Sequence, residues 1–300
     1  MIFGLFLIWL AVGPAMGLLD PNLKVRYDFS IDAFGETAFI EMPLYESDAV
    51  LKGFVEKSRP PSPSGLENLK LFCPADDYTV CVLYDDTRFV AGLQIAVEPD
   101  AFTNIEYDWE TQGYTSWTTE INDVTKEYYT MQQYFMSGEF LQRNPVDRIV
   151  SRNSSILLQD GALWVTAFDG DLYEISTTPG AITGPNSIFT KQNCIQWMGT
   201  HYYYNMSAET ECSAGTIFPW FPLVFDDQLI GIGYNIFAIS IPGKGPVKLF
   251  EYSGDTAVKY TIPNGPQCLY DLSARVGQIT MHTYFINAPY DVNCLAQIPA

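Results

Sequence analysis

The chain has 300 residues, with 16 Lys and Arg against 35 Asp and Glu, and a net charge of −19. Phosphate groups are bound by cationic side chains, so this charge argues against nucleic acid as a partner. Hydrophobic residues make up 47% of the chain, which is enough for a sizeable core and too much for a disordered protein.

The N-terminus has the pattern of a secretory signal. An apolar run over 2–12 is followed by small residues at Ala15 and Gly17, the positions that precede a cleavage point. The run is shorter than the roughly 20 residues that a membrane-spanning helix needs. We therefore predict a signal peptide over residues 1–17, a mature chain that begins at Leu18, secretion to the extracellular space, and no membrane span.

Residues 18–176 form a predicted first β half. The segment is rich in β-branched and aromatic residues punctuated by turn residues, which is typical of antiparallel strands. One short helix is predicted over 47–57, with Ser47 as its N-cap. The stretch 58–65 contains three prolines in eight residues and is predicted to be a loop, because proline lacks a backbone N–H and fixes φ.

The clearest strand pattern lies over 155–176. Asp160-Gly161 and Asp169-Gly170 interrupt three apolar runs, and Asp-Gly favours the positive φ angles of tight hairpins. This pattern predicts a three-stranded meander. The Pro- and Gly-containing stretch 177–186 then predicts a linker, and residues 187–300 form a predicted second β half.

Two short matches recur in the same order in the two halves. Residues 83–86 (Leu-Tyr-Asp-Asp) resemble 224–227 (Val-Phe-Asp-Asp), and 130–135 resemble 280–285. Asp is a natural turn residue, so the two Asp-Asp pairs are interpreted as hairpin turns rather than as a carboxylate site. The predicted fold class is mostly β, with antiparallel sheets in a sandwich or barrel-like arrangement and two related halves from an internal duplication.

Six cysteines in a secreted chain predict three disulfide bonds and no free thiol. Six cysteines allow 15 pairings, of which pairing between neighbours in sequence is the simplest. That arrangement would join Cys73 to Cys81, Cys194 to Cys212, and Cys268 to Cys294. Two further motifs, Asn153-Ser154-Ser155 and Asn205-Met206-Ser207, predict N-glycosylation where the asparagine is exposed.

The chain contains only two histidines, His201 and His282, and His282 stands where the first repeat has Gln132. A histidine pair can act as general acid and base, or can hold a metal together with a carboxylate. The sequence has no H-E-x-x-H, H-x-H, C-x-x-C, P-loop or nucleophile-elbow motif, so no metal or cofactor is predicted. The histidines are catalytic candidates if they meet beside a carboxylate in a cleft, and ordinary polar residues if they do not.

Aromatic residues are most concentrated over 197–225, around the first histidine. Their rings could line a ligand site or could simply fill the core. The candidate binding residues are Trp197, Tyr202, Tyr204, Trp220 and Phe225. We expect this region, with His201 in its wall, to contribute to the largest cleft of the protein.

Three classes of function remain open on the sequence alone. The leading expectation is a secreted binding glycoprotein that recognises a small molecule, a glycan or an extracellular protein. The alternative is a secreted enzyme that uses His201 or His282 with a nearby carboxylate. An acidic extracellular matrix component is a weaker alternative, because the chain has no low-complexity repeat.

Overall fold

The β-branched and aromatic runs of the sequence form strands, as their composition predicts. The computed structural model describes residues 17–26, 36–241 and 249–294. In these ranges the strands are, in chain order, β1 (Pro21–Arg26), β2 (Phe39–Glu41), β3 (Phe54–Lys57), β4 (Lys70–Pro74), β5 (Val80–Tyr84), β6 (Val90–Val97), β7 (Phe102–Thr103), β8 (Thr115–Ile121), β9 (Val124–Tyr134), β10 (Ala162–Thr166), β11 (Leu172–Ser176), β12 (Phe189–Ile195), β13 (Gly199–Tyr204), β14 (Trp220–Phe225), β15 (Gln228–Ile236), β16 (Ile239–Ser240), β17 (Glu251–Ser253) and β18 (Gln278–Ile286). The helices are α1 (Glu46–Leu51), α2 (Gly138–Gln142), α3 (Pro145–Ser151), α4 (Asp255–Thr261) and α5 (Gln267–Val276).

Two antiparallel sheets of eight strands each confirm the mostly β fold class. The first sheet has the order β11-β10-β9-β6-β5-β4-β3, with β8 paired to β9. The second sheet has the order β12-β13-β14-β15-β18-β1-β2, with β17 paired to β18. The short strands β7 and β16 form a separate ribbon that joins the first half of the chain to the second.

The sheets pack against each other through their central strands, β9 and β18. The side-chain amide of Gln133 donates to the hydroxyl of Thr283 over 3.0 Å, and the rings of Phe135 and Phe285 meet edge to face at 5.5 Å. In the sequence repeat, position 133 matches 283 and position 135 matches 285. Matching residues of the two halves therefore meet each other at the centre of the sandwich core, as they do across a two-fold interface.

The strand orders of the two sheets correspond along their whole length. Both β5–β6 and β14–β15 carry a register shift at the same place, between Leu83 and Tyr84 in one sheet and between Leu223 and Val224 in the other. The edge strands come from different parts of the chain: β10 and β11 follow β9 directly, whereas β1 and β2 come from the N-terminus to join the second sheet. The sheets therefore do not coincide with the halves 18–176 and 187–300, and the duplication itself stays a prediction.

The prediction of a helix over 47–57 is wrong for its second half, residues 52–57. Helix α1 begins after Tyr45, so Ser47 lies inside it and caps nothing. The helix ends at Leu51, since Gly53 adopts a φ of 83° that a continuing helix does not allow. The following residues form β3 and pair with β4.

The predicted meander over 155–176 has two of its three strands. Strands β10 and β11 pair around a turn in which Asp169 has a φ of 56°, as the Asp-Gly pattern predicts. The first apolar run forms no strand. Its Leu157 and Leu158 are buried as core side chains, and a single 3-10 turn over Gln159–Gly161 leads into β10.

Three disulfide bonds are present, but only one of the predicted pairs is correct. Cys73 and Cys81 are joined as expected, whereas the other bonds link Cys194 to Cys294 and Cys212 to Cys268. The sequence-local pairs fail because the sheet brings distant segments together: the backbone N–H of Trp197 donates to the carbonyl of Val292 beside the Cys194–Cys294 bond. The predicted signal peptide lies almost entirely outside the described residues.

Helices α4 and α5 cover the outer face of the second sheet. Their apolar side chains form a second core with the outward-facing side chains of that sheet, separate from the core between the sheets. The contributors from the helices are Val258, Leu269, Leu272 and Val276, together with Ile262 directly after α4. Among the described residues, no helix is long and apolar enough to cross a membrane.

Candidate functional site

Both histidines lie on the outer face of the second sheet and contact each other. Side chains alternate along β13, so His201 and Tyr203 face outwards while Tyr202 faces the sandwich core. His282 faces the same way from β18. The two imidazole rings are 6.0 Å apart between centroids, and each residue is almost fully buried.

A carboxylate completes this group. Glu251 lies on β17 opposite Thr280, which places its side chain beside His282. One carboxylate oxygen, Oε2, is 3.2 Å from Nδ1 of His282, and the other, Oε1, is 3.0 Å from Nε of Arg26. Glu251 is 4% exposed. An ionised carboxylate at such depth needs a charged partner, and Arg26 provides it.

His201 is held in its neutral form. Its Nδ1 lies 3.2 Å from the carbonyl oxygen of Gly199, and because a carbonyl only accepts, the proton of the neutral ring is assigned to Nδ1. Burial first, and the adjacent His282 second, lower the pKa of His201 to about 3, against the opposing pull of the Gly199 and Asn193 carbonyls. His201 is therefore an uncharged polar residue at neutral pH.

His201, His282 and Glu251 border a cavity of about 210 Å³ between the second sheet and helix α4. The stacked rings of Tyr203 and Phe221, with centroids 4.9 Å apart, form an apolar wall next to His201. Phe221 lies flat across Gly233, where a Cβ atom would fall 2.0 Å from its ring. Tyr260, on α4, also lines the cavity and is exposed to solvent.

His282 is the group best placed for proton transfer in this cavity. Its Nδ1 faces Glu251, and its Nε2 makes no hydrogen bond with the residues that the structure describes. At 3.2 Å from the carboxylate, Nδ1 is within ion-pair distance but makes no hydrogen bond in this structure. A neutral histidine with its proton on Nδ1 presents Nε2 as a base, and a carboxylate at this distance stabilises the imidazolium that forms. Within the described ranges, no group of three His, Cys, Asp or Glu side chains could hold a metal ion.

The five aromatic residues predicted to bind a ligand lie away from this cavity. Trp220 is fully buried between the sheets, where its indole donates to the carbonyl of Thr166 over 2.7 Å, and Tyr202 shares that core. Tyr204 packs there as well, Phe225 packs beside the outer core, and Trp197 stands at the turn after β12. A binding role for these residues has no support from their positions.

A larger cavity of about 390 Å³ lies elsewhere, so the expectation that the 197–225 region borders the largest cleft is wrong. Asp85, Asp86 and Arg148 line this second cavity. The side chain of Asp85 accepts from Thr87 and pairs with Arg148 over 2.8 Å, and Arg148 also contacts Asp86. These contacts satisfy the buried groups and fix the β5–β6 turn, as the turn interpretation of Asp85-Asp86 predicts.

Sequence reasoning missed the partners of the histidines. Nothing in the local sequence marks Glu251 or Arg26, because they reach His282 only through the pairing of β17 and β1 with β18. A signal for Tyr203 did exist. Residues two apart on a strand share a face, so the run His201-Tyr202-Tyr203-Tyr204 places Tyr203, and not its neighbours, beside His201.

No protein-family model, curated protein or solved structure matches this chain in comparisons of sequence and fold. The case for a function therefore rests on the site itself.

Proposed function

We propose that this protein is a secreted enzyme that performs general acid–base chemistry on a small molecule in the cavity above the second sheet. The observation that carries the proposal is the contact of His282 Nδ1 with the buried carboxylate of Glu251, beside a second histidine and open space. The sequence-based condition for an enzyme is a pair of close histidines beside a carboxylate in a cleft, and this arrangement meets it.

In the proposed step, Nε2 of His282 takes a proton from the substrate or from a water molecule that attacks it. The resulting imidazolium is stabilised by Glu251, and it returns the proton to the substrate or to the leaving oxygen, so the residue is regenerated. Glu251 and Arg26 are positioning residues: the first orients the ring, and the second pairs with the carboxylate over 3.0 Å and holds it in place. His201, being neutral, leaves the charge of this pair undisturbed.

Secretion and glycosylation are part of the same proposal. Three disulfide bonds without a free cysteine among the described residues fit an oxidising compartment. Asn153 and Asn205 are both exposed, so an attached glycan could extend into solvent. Asn153 also accepts a hydrogen bond from the backbone of Ser155, which holds its side chain in a local turn at the surface.

A binding protein without catalysis is the second candidate. Its support is the stacked wall of Tyr203 and Phe221, which offers flat apolar area to a ligand at low entropic cost. The ligand of such a protein would be a small molecule, because the cavity is too small for a folded partner or a long glycan. The two candidates share one site and differ in whether His282 transfers a proton.

Proton transfer is measurable with simple carbonyl compounds in place of the natural substrate. The secreted glycoprotein is incubated in D2O with a panel of small ketones, lactones and esters, and NMR follows deuterium exchange beside each carbonyl and the cleavage of each ester. We expect catalysed exchange or cleavage of at least one compound, reduced by a factor of about 100 or more in His282→Gln. Glu251→Gln should lower the rate and alter its pH profile.

Tyr252→Phe is the matched control, because Tyr252 lies between Glu251 and Ser253 on β17 but is half exposed. It should retain the full rate. Equal rates in the wild-type protein and His282→Gln would contradict the enzyme. Saturable binding of a panel compound with no turnover would favour the binding protein.

A further inference from the structure

We infer that the cavity takes an uncharged molecule with an apolar body and a hydrogen-bond-accepting oxygen, and that the amide of Gln278 binds this oxygen. The inference rests on the proposed function only in placing the ligand in the same cavity, and it holds equally for an enzyme or a binding protein.

Among the described residues that line the cavity, the one acidic side chain already has a cationic partner. Glu251 is paired with Arg26 over 3.0 Å, and no Lys or Arg is among the described residues that line the cavity. A carboxylate or phosphate ligand would therefore be buried without a cation. A cationic ligand would have to displace Arg26 from the only acidic side chain in this lining. An uncharged ligand would avoid both of these unfavourable changes.

Three lining residues carry a buried polar atom without a hydrogen bond, Glu251, His282 and Gln278, and of these atoms only the amide nitrogen of Gln278 also lacks a charged group beside it. Gln278 is the first residue of β18, lies opposite Ser253, and is 4% exposed. Its amide nitrogen makes no hydrogen bond in the structure. A buried N–H without an acceptor is unfavourable, so an oxygen on the ligand would gain a full hydrogen bond there.

The position of Gln278 also sets the shape of the ligand. Gln278 and His282 share one face of β18 four residues apart, which corresponds to about 13 Å along the strand. Thr280 lies between them on the same face of the strand and also lines the cavity, and the ring of Phe221 packs at the His282 end. A molecule that touches both ends is thus elongated, with its accepting oxygen at one end and its reactive atom at the other.

Three small probes of equal size and different charge test the inference: benzamide, benzoate and benzylamine. Ligand-observed NMR titrations measure the dissociation constant of each with the full secreted protein at pH 7. We expect benzamide to bind, and benzoate and benzylamine to bind at least tenfold more weakly. In Gln278→Leu, the affinity for benzamide should fall about five- to tenfold, as for the loss of one hydrogen bond.

Gln94→Leu is the matched control, because Gln94 is an equally buried amide with an unpartnered nitrogen, located in the other sheet. It should bind benzamide as the wild-type protein does. If Gln278→Leu does not fold, Gln278→Glu keeps the shape of the side chain and removes the amide donor at pH 7, and it should show the same loss.

Two outcomes would overturn the inference: benzoate binding as tightly as benzamide, or unchanged benzamide affinity in the Gln278 variants. Either can occur while His282→Gln still abolishes turnover, in which case the proposed enzyme stands and the inferred ligand class fails. Conversely, charge-selective, Gln278-dependent binding without any turnover supports the inference and leaves the binding protein as the function.

Discussion

The outer faces of the two sheets share one strand topology but differ in chemistry. In each sheet the pairing aligns a leucine, a glycine and a tyrosine across three central strands: Leu83, Gly92 and Tyr134 in the first sheet, and Leu223, Gly231 and Tyr284 in the second. Two residues on corresponding strands are equivalent when they lie the same number of positions from this row. The comparison shows which side chains the fold itself requires and which it does not.

Every member of the candidate site has a neutral counterpart in the first sheet. The counterpart of His201 is Leu71, and the counterpart of His282 is Gln132. Thr166 takes the position of Arg26, and Thr115 takes that of Glu251. Gln132 is held by hydrogen bonds to Gln94 and Thr130, without any charge. The topology is therefore compatible with an uncharged face, and the buried charges of the second sheet point to function rather than to folding.

The outer face of the first sheet also differs from that of the second in the residues at the positions that form the cavity wall. The first sheet has the Cys73–Cys81 disulfide bond at the positions that Tyr203 and Phe221 occupy in the second. Gln94 fills the position of Gly233. Because Gly233 has no side chain, the ring of Phe221 packs directly over its backbone, and this ring forms the cavity wall next to His282.

The largest expected effect on stability comes from removing Arg26, whose position in the first sheet is occupied by the neutral Thr166. Arg26→Met leaves Glu251 buried without its cation and should lower the free energy of unfolding by about 3–5 kcal/mol. The double variant Arg26→Met, Glu251→Gln should recover a large part of this loss, because the buried carboxylate that the single variant leaves without Arg26 is then replaced by a neutral amide. Urea unfolding measures both. A single variant within about 1 kcal/mol of wild type would mean that the pair is solvated.

Gly233→Gln installs the first sheet's residue in the second. Since its Cβ would collide with Phe221, we expect a loss of about 1–3 kcal/mol in unfolding free energy together with loss of benzamide binding. Gly231→Ala is not a suitable control, because a Cβ there meets the backbone of Thr283. Gly254→Ala is, since its Cβ would enter open space. Unchanged probe binding in Gly233→Gln would contradict the assigned cavity wall.

Leu71 is the counterpart of His201 in the first sheet, so His201→Leu gives the second sheet the first sheet's residue. The pH dependence of stability should differ between the wild-type protein and this variant. The pKa of His201 is lowered to about 3 in the folded protein, so between there and about 6.5 the unfolded chain binds the extra proton. Stability contributed by the neutral ring is thus present above pH 6.5 and is lost as the pH falls, by up to about 1.4 kcal/mol per pH unit.

His201→Leu should remove that slope. The check is the unfolding free energy of both proteins at several pH values between 4.5 and 7.5. The carboxylates common to both proteins cancel in the difference. Parallel curves for the two proteins would show that His201 is not buried in a neutral form.

The smallest expected effect on stability is that of His282→Gln, which gives the second sheet the amide found at Gln132. We expect the free energy of unfolding to change by about 1 kcal/mol or less, because an amide can replace the contact with Glu251. The melting temperature and the turnover rate of the same preparation separate stability from catalysis. If His282→Gln lowered the free energy of unfolding as much as Arg26→Met does, the role of His282 would be structural.

Much of the fold could be predicted from the sequence because its signals are local. Alternation along strands and the Asp-Gly turn at Asp169 gave the correct elements, and the match of Gln132 with His282 identified positions that are equivalent in the two sheets. What failed was non-local. The partners of Cys194 and Cys212 and the approach of Glu251 to His282 depend on which strands pair, and pairing between distant segments leaves no local pattern.

The central claim, that the two histidines form a buried site with unequal roles, is tested most directly by their nitrogen NMR signals. The chain has no other histidine, so a long-range 1H–15N spectrum recorded from pH 4 to 8 contains only these two rings, and His201→Leu assigns them. We expect His201 to stay neutral with its proton on Nδ1 down to about pH 4, and the nitrogen signals of His282, whose Nδ1 lies 3.2 Å from Glu251, to shift in Glu251→Gln. A His201 ring that titrates near 6.5, as exposed histidines do, together with His282 signals that do not respond to Glu251→Gln, would contradict the assigned roles.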